Sequence, residues 1–381
     1  MDDADASLSG LKVVEFTHMV MGPSIGLILA DLGAEVMRIE PPGGDHTRRL
    51  MGSGAGYFPM FNRNKKSVCL DLKSPQALAD ARALAVSADI VIENFRPGAL
   101  DKLGLSYAAL SSENPRLIYC SAKGFLSGPY QDRAALDEVA QMMGGLAYMT
   151  GPPGRPLRAG ASVIDVAGGM FGVIGILAAL EQRRRTGRGQ LVRCSLFETT
   201  AFLVGQHMAQ MAVTGKAASP MPARISAWAI YDVFDTLDGE QVFVGVVSDA
   251  QWEAFRRAFD FQADAALATN NARVQARDVL LPQVRALFAR YDKAELMRLL
   301  EDIGLPFAPI TRPEDLFEDP HLVASGGLLE MTLPGGQETR LPALPLEMGG
   351  RRPGLTLNPP AAGADTGEAL AALREAQGLR A

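Results

Sequence analysis

Leu11-Lys-Val-Val-Glu-Phe16, then Thr17-His-Met-Val-Met-Gly-Pro23, then Glu35-Val-Met-Arg-Ile39 is the stretch from which the fold is read. The first run is a buried strand, Pro23 opens a helix reaching Leu32 with proline in its first turn, and the third run is a second strand, which together make a βαβ unit. Working outward, Val68 to Leu72 is another short strand and Ser74-Pro75 starts a helix. Asp89-Ile-Val-Ile-Glu93 and Arg116-Leu-Ile-Tyr-Cys-Ser121 continue the alternation. Strands alternating with helices predict an α/β fold with a parallel sheet covered on both faces, and its strand ends carry the ligand loops. Glu40 ends the second strand where a dinucleotide enzyme places its ribose-binding acid. The glycine fingerprint that must precede it is absent, so a dehydrogenase is disfavoured.

The alternation stops after Thr186-Gly-Arg-Gly-Gln190. Leu191 to Phe197 is a strand running into a Met-rich helix that ends near Thr214, and Lys216 to Arg224 is a linker rich in Ala, Ser and Pro. Strands at 229–234 and 241–247, with amphipathic helices at 252–259, 279–291 and 293–303, predict a second, α+β domain. Pro306 to Pro313 leads back, a Gly/Pro-rich linker spans 349–360, and Asp365-Thr-Gly-Glu368 caps a final helix.

The 381 residues are 48% hydrophobic with a formal net charge of −6, enough to bury a large core and the wrong sign for general nucleic-acid binding. The acidic start Met-Asp-Asp-Ala-Asp-Ala shows no targeting signal, and a cytoplasmic location is expected. The run Val166 to Leu180 is shorter than the ~20 residues of a membrane span and contains four glycines, so it is expected to be a buried helix. Cys69, Cys120 and Cys194 suit reduced core thiols, and neither they nor the four histidines show metal-ligand spacing. No metal site is expected. Arg183, Arg184, Arg185 and Arg188 near Gly187 read as a helix C-terminus favoured by the dipole and a glycine cap.

Asp165 is a lone carboxylate at the mouth of that apolar run. It is expected to be the N-cap of the following helix, accepting free N–H groups that, with the dipole, keep it anionic. Gly168 and Gly169, one turn on, allow close approach of a ligand or of another helix.

The segment Asp165-Val-Ala-Gly-Gly-Met-Phe-Gly-Val-Ile-Gly-Ile-Leu-Ala-Ala-Leu-Glu-Gln-Arg-Arg-Arg-Thr-Gly-Arg-Gly-Gln190 resembles the core of the class III coenzyme A transferases, the family of formyl-CoA transferase, α-methylacyl-CoA racemase and L-carnitine CoA-transferase. The resemblance runs from about Leu11 to Glu198 and resumes near Phe317 and Gly363. It implies a Rossmann-like large domain built from residues 1–224 and 313–381, a small α+β domain at 225–312, and an interlocked homodimer. It further implies that Asp165 is the catalytic nucleophile, that acyl-CoA and a carboxylic acid are the substrates, and that no cofactor is tightly bound.

Three groups of residues carry the implied coenzyme A contacts. His18, Met19, Val20 and Met21 lie on the first strand-to-helix turn, where helix N–H groups meet phosphate or acyl oxygens. Leu70 and Lys73 lie in Asn64-Lys-Lys-Ser-Val-Cys-Leu-Asp-Leu-Lys73. Asn94, Phe95, Arg96 and Lys102 lie in Glu93-Asn-Phe-Arg-Pro-Gly-Ala-Leu-Asp-Lys-Leu-Gly104. Arg38 and Lys123 add charge for the phosphates. Val20 stands where formyl-CoA transferase has glutamine, and Phe125 where it has tyrosine. A glycine-rich loop that closes over that enzyme's site has no counterpart at 218–228. Racemases carry a His-Asp pair where this chain has Leu136-Asp137, and leucine cannot exchange a proton. The reading is therefore a CoA-transferase, ahead of a racemase or a non-catalytic acyl-CoA binder. Similarity of Arg224 to Phe234 to relatives using small branched diacids points to succinyl-CoA as donor and a C4–C5 dicarboxylate such as itaconate, mesaconate or citramalate as acceptor. Arg48, Arg49, Arg158 or Arg224 would hold the distal carboxylate.

Overall fold

The computed structural model describes residues 6–224 and 226–378. Met1–Pro222 with Pro320–Ala381 form one unit and Ala223–Asp319 another. From sequence the second unit was expected to end at 312. The short turn of helix Pro313–Glu318 stays with it.

In the first unit, β1 (Lys12–Phe16), β2 (Glu35–Glu40), β3 (Lys65–Cys69), β4 (Ile90–Glu93), β5 (Ile118–Lys123) and β6 (Leu191–Ser195) form one sheet. Every pairing is parallel and the order is β3-β2-β1-β4-β5-β6. The protein is thus mixed α/β with a six-stranded parallel sheet. Connections run one way from β1 and the other way from β4, so the carboxyl ends of these two neighbours flank a crevice.

Alternation along each strand builds two cores. Val13, Ile90, Ile92, Cys120 and Ala122 pack under α1 (Met21–Asp31) and the helix Val163–Thr186, whereas Val14, Phe16, Val91 and Tyr119 pack on the opposite face with Leu84 and Leu373. Cys120 and Cys194 are buried and Cys69 half-buried, all three as free thiols. The helix Val163–Thr186 lies on α1 through its glycines: a Cβ on Gly169 would stand 2.1 Å from Ser24 Oγ and 3.1 Å from the Met21 carbonyl oxygen. The expectation of a buried helix holds for one face of it. Only its glycine face is covered, while Met170 and Ile174 are 52% and 58% exposed. Its C-terminus does close on Gly187 in the left-handed conformation (φ 71°), and Arg183 is buried in a pair with Asp89.

β3 starts three residues earlier than the apolar pattern suggests. Lys65 is fully buried, yet its Nζ donates to both Glu15 carboxylate oxygens (2.9 and 3.1 Å), to the Pro23 carbonyl and to Asn62 Oδ1. These partners satisfy a charge that would otherwise exclude the residue from a core. Burial still pulls its pKa down to about 8, against the opposing effect of Glu15. The expected cap of the last helix, Thr366–Ala376, is also replaced. Asp365 spends its carboxylate on the Ser67 N–H (2.7 Å) and Thr366 Oγ1 accepts from the Cys69 N–H (2.9 Å), which fastens the C-terminal segment to the edge of β3.

The second unit has an antiparallel sheet of β7 (Tyr231–Asp235), β8 (Gln241–Gly245) and β9 (Phe307–Pro309). Phe234, Trp252, Phe255 and Phe288 form its aromatic core beneath the helices Asp249–Ala258 and Arg277–Phe288.

Candidate active site

A cavity of ≈ 990 Å³ opens at the carboxyl ends of β1, β4 and β5. The β1 end supplies His18, Met19 and Met21, the β4 end supplies Asn94, Phe95 and Arg96, Lys123 closes β5, and Asp165 enters from the long helix. A smaller cavity of ≈ 460 Å³ shares Arg96, Pro97, Lys123, Gln131 and Asp132 with it and extends toward Tyr107, Tyr119 and Arg193.

The β1 turn is held by side chains from distant parts of the chain. Asn94 accepts from the His18 N–H and donates to its carbonyl, both at 2.9 Å, and Thr47 Oγ1 accepts from the Met19 N–H at 3.2 Å. These bonds hold Met19 in the left-handed region (φ 61°), uncommon for a residue with a side chain. At the other wall, Lys123 Nζ donates to Glu93 Oε2 (2.7 Å) and to the Phe95 carbonyl (2.5 Å). One ammonium thus ties the ends of β4 and β5 together.

Asp165 is not an N-cap. Ser162 occupies that position and Asp165 stands in the first turn. The cap comes from Asp137, 28 residues earlier, whose Oδ2 accepts from the N–H groups of Ile164 (2.8 Å) and Asp165 (3.0 Å). Asp137 Oδ1 accepts from Gln141 Nε2, and Gln141 Oε1 accepts from the Ala159 N–H at 2.9 Å. The donors expected to keep Asp165 ionised are therefore occupied by another carboxylate. Among the described residues nothing donates to the Asp165 carboxyl. Burial first, then the neighbouring Asp137 and Glu138 carboxylates, push its pKa up to about 7, with Arg158 opposing.

The other residues expected to contact coenzyme A fall outside the cavity lining, whereas Leu136, at the racemase histidine position, is part of it. Val20 is buried at the head of α1 and Leu70 in the core. Lys73 and Lys102 are exposed. Arg38 is fully buried, donating to Glu15 Oε1 (3.2 Å), Thr17 Oγ1 (3.0 Å) and Asp45 Oδ2 (2.5 Å). Asp45 in turn accepts from the Thr47 hydroxyl (2.8 Å) that holds Met19, so Arg38 braces the turn from beneath rather than meeting a phosphate. Arg48 is committed to Glu40 and the Pro360 carbonyl, and Arg49 to the Gly43 carbonyl. Arg158 pairs with Glu138. Sequence reading missed Tyr57, Gln131, Asp132 and Arg133 in the lining, because they come from irregular segments with no periodicity. It also missed the capping role of Asp137, which only its place two residues ahead of an apolar helix pattern hints at. No cluster of metal-ligating side chains occurs among the described residues.

A doubly wound sheet with a carboxyl that accepts no hydrogen bond from the described residues, on the wall of a cavity at its strand ends, is the arrangement of an enzyme site, and comparison with known proteins gives the family. Residues 8–366 match the profile described as CoA-transferase family III, and the chain belongs to that family. It is similar to succinyl-CoA:glutarate CoA-transferase of Mus musculus (33% identity, covering 87% of this chain and 78% of the relative). It is also similar to succinyl-CoA–D-citramalate CoA-transferase of Chloroflexus aurantiacus (32%, covering 84% and 83%). A CaiB/BaiF family protein from Brucella suis superposes with a TM-score of 0.85 at 32% identity, covering 97% of this chain and 99% of that one. The chain is a CoA-transferase, acting on CoA thioesters.

Proposed function

We propose that this enzyme moves coenzyme A from succinyl-CoA to a C4–C5 dicarboxylate through a covalent intermediate on Asp165. The reading is supported by relatives named for glutarate and citramalate, and it rests chiefly on one observation, the Asp165 carboxyl on the cavity wall that accepts no hydrogen bond from the described residues while Asp137 takes the helix N–H groups. The ionised carboxylate attacks the thioester carbonyl and the C–S bond breaks, giving a mixed anhydride and CoA thiolate. The thiolate then attacks the aspartyl carbonyl, releasing succinate and leaving an aspartyl-CoA thioester. The acceptor carboxylate attacks the aspartyl carbonyl and the C–S bond breaks, giving a second mixed anhydride and CoA thiolate, and the thiolate then attacks the acceptor's acyl carbon, which frees Asp165. His18, Met19, Met21, Asn94, Phe95, Arg96 and Lys123 line the path for coenzyme A. Arg158, whose charge reaches Asp165, would exchange its Glu138 partner for the acceptor's distal carboxylate.

The Rossmann-like large domain with a small middle domain, threaded as an interlocked homodimer, belongs to the same proposal. The uncovered apolar face of Met170, Ile174, Phe202, Met208 and Met211 supports it, since a patch of this kind marks an interface. The helix Val163–Thr186 is long and apolar enough to cross a membrane. Its glycine face packed on α1 favours a second copy of the chain as the cover. Incubating the enzyme with succinyl-CoA and hydroxylamine should convert Asp165 alone to a hydroxamate. Label on a different carboxylate would reject the covalent route, and folded monomers by light scattering would reject the threaded dimer.

A further inference from the structure

We infer that His18 is a catalytic residue that donates a hydrogen bond from Nε2 to the acyl oxygen as Asp165 attacks. The inference rests on the covalent reading above and adds to it the group that meets the developing charge. His18 lines the same cavity as Asp165. Its backbone is fixed on both sides by Asn94 and its ring lies 5.2 Å from that of Phe95, so the imidazole is preorganised. The long helix brings Asp165 to the same end of α1: a Cβ on Gly168 would stand 2.8 Å from Met21 Cε, three residues after His18.

The two ring nitrogens differ. Nδ1 is buried and has no hydrogen-bond partner. In the tautomer the proposal requires, Nδ1 carries the lone pair, which costs less when unpaired than a buried N–H, and Nε2 carries the proton. Nε2 is not among the buried unpaired atoms, and the ring lines the cavity with the Asn94 side chain as a hydrogen-bonding neighbour. Burial holds the imidazole below its usual pKa. Asp45 and Asn94 act against that, while His46 and Arg38 add to it. The ring is then neutral at working pH and donates without transferring its proton. In the tetrahedral adduct the former carbonyl oxygen is an anion, and the Nε2–H stabilises it until the C–S bond breaks and the thiolate leaves. Neutral imidazole serving as an electrophile is an established device for such oxygens.

The test is rapid quench of enzyme with succinyl-CoA and hydroxylamine, reading Asp165 hydroxamate by mass. His18→Leu should slow its formation by a factor on the order of 10²–10³. CoA affinity by titration, to which His18 contributes as a wall of the cavity, should fall by far less than that factor, and the unfolding temperature should be little changed. His18→Gln, which restores an N–H donor, should recover at least about tenfold of the loss. The inference is overturned if His18→Leu labels Asp165 at the wild-type rate, if the whole loss lies in CoA affinity, or if Gln is no better than Leu. Failure of the wild type itself to label Asp165 would instead reject the covalent reading and this inference with it.

Discussion

Replacing Asp165 with asparagine should abolish transfer and at the same time stabilise the folded enzyme above neutral pH. In the unfolded chain an aspartate ionises near ~3.9, whereas in the cavity burial and the Asp137 and Glu138 carboxylates raise Asp165 to about 7. Between those values the folded state holds the extra proton. Wild-type stability therefore falls relative to the asparagine variant as pH rises from about 4 to about 7, and the gap is constant above that. The rise from 3.8 to about 7 corresponds to about 4 kcal/mol at ~1.4 kcal/mol per pH unit. Asp165 is only partly buried and faces the cavity, and solvent screening reduces this to about 1–3 kcal/mol. Urea denaturation of both proteins, at equal concentration, should show this gain near pH 8.5, less than half of it near pH 5, and almost none near pH 4. An advantage that does not change with pH would refute the argument, because asparagine would then be improving packing rather than removing a buried charge.

Activity carries the same ionisation in the opposite sense: kcat/KM for the acyl-CoA donor should rise with pH, half-maximal near the Asp165 pKa of about 7 and level about one pH unit higher, and a profile already flat from pH 5 would show that Asp165 titrates lower. Asp137→Ala removes the cap and a neighbouring charge, so it should cost about 1–2 kcal/mol of stability and shift that pH profile to lower pH; a stability loss with an unmoved profile would separate Asp137 from Asp165 electrostatically. Gly169→Ala drives a methyl toward Ser24 Oγ and should cost about 1–3 kcal/mol by thermal denaturation, partly regained in combination with Ser24→Ala, and additive behaviour of the two would deny the contact. Lys65→Met takes the donor from Glu15 Oε2 and leaves Glu15 with Arg38 alone, so it should destabilise by less than the ~3–5 kcal/mol of a fully broken buried pair, about 1–3 kcal/mol; a neutral result in urea denaturation would mean the Lys65 contact is dispensable.

Much of the sheet was determined locally. Val13, Val14, Ile90 to Ile92 and Ile118 to Cys120 are apolar runs of strand length, and hydrophobic pattern alone places them in a two-faced core. The pattern missed the start of β3 because Lys65 belongs to a strand only when Glu15, fifty residues away, is there to receive its ammonium. Asp165 was legible as a residue, since a charge at the mouth of an apolar helix needs a reason. Its protonation was not, because that depends on which carboxylate reaches the helix N–H groups first, and Asp137 arrives there only through the packing of its own helix. Likewise a run of sequence names Arg38, Leu70, Lys73 and Lys102 without saying which way each side chain points. The register of parallel strands turns Arg38 inward to Glu15 and Asp45, and the turns after β3 and β4 leave the two lysines in solvent. Local propensity and pattern act over a few residues and so are written along the chain, whereas electrostatic environment is a sum over neighbours that exist only once the chain has folded.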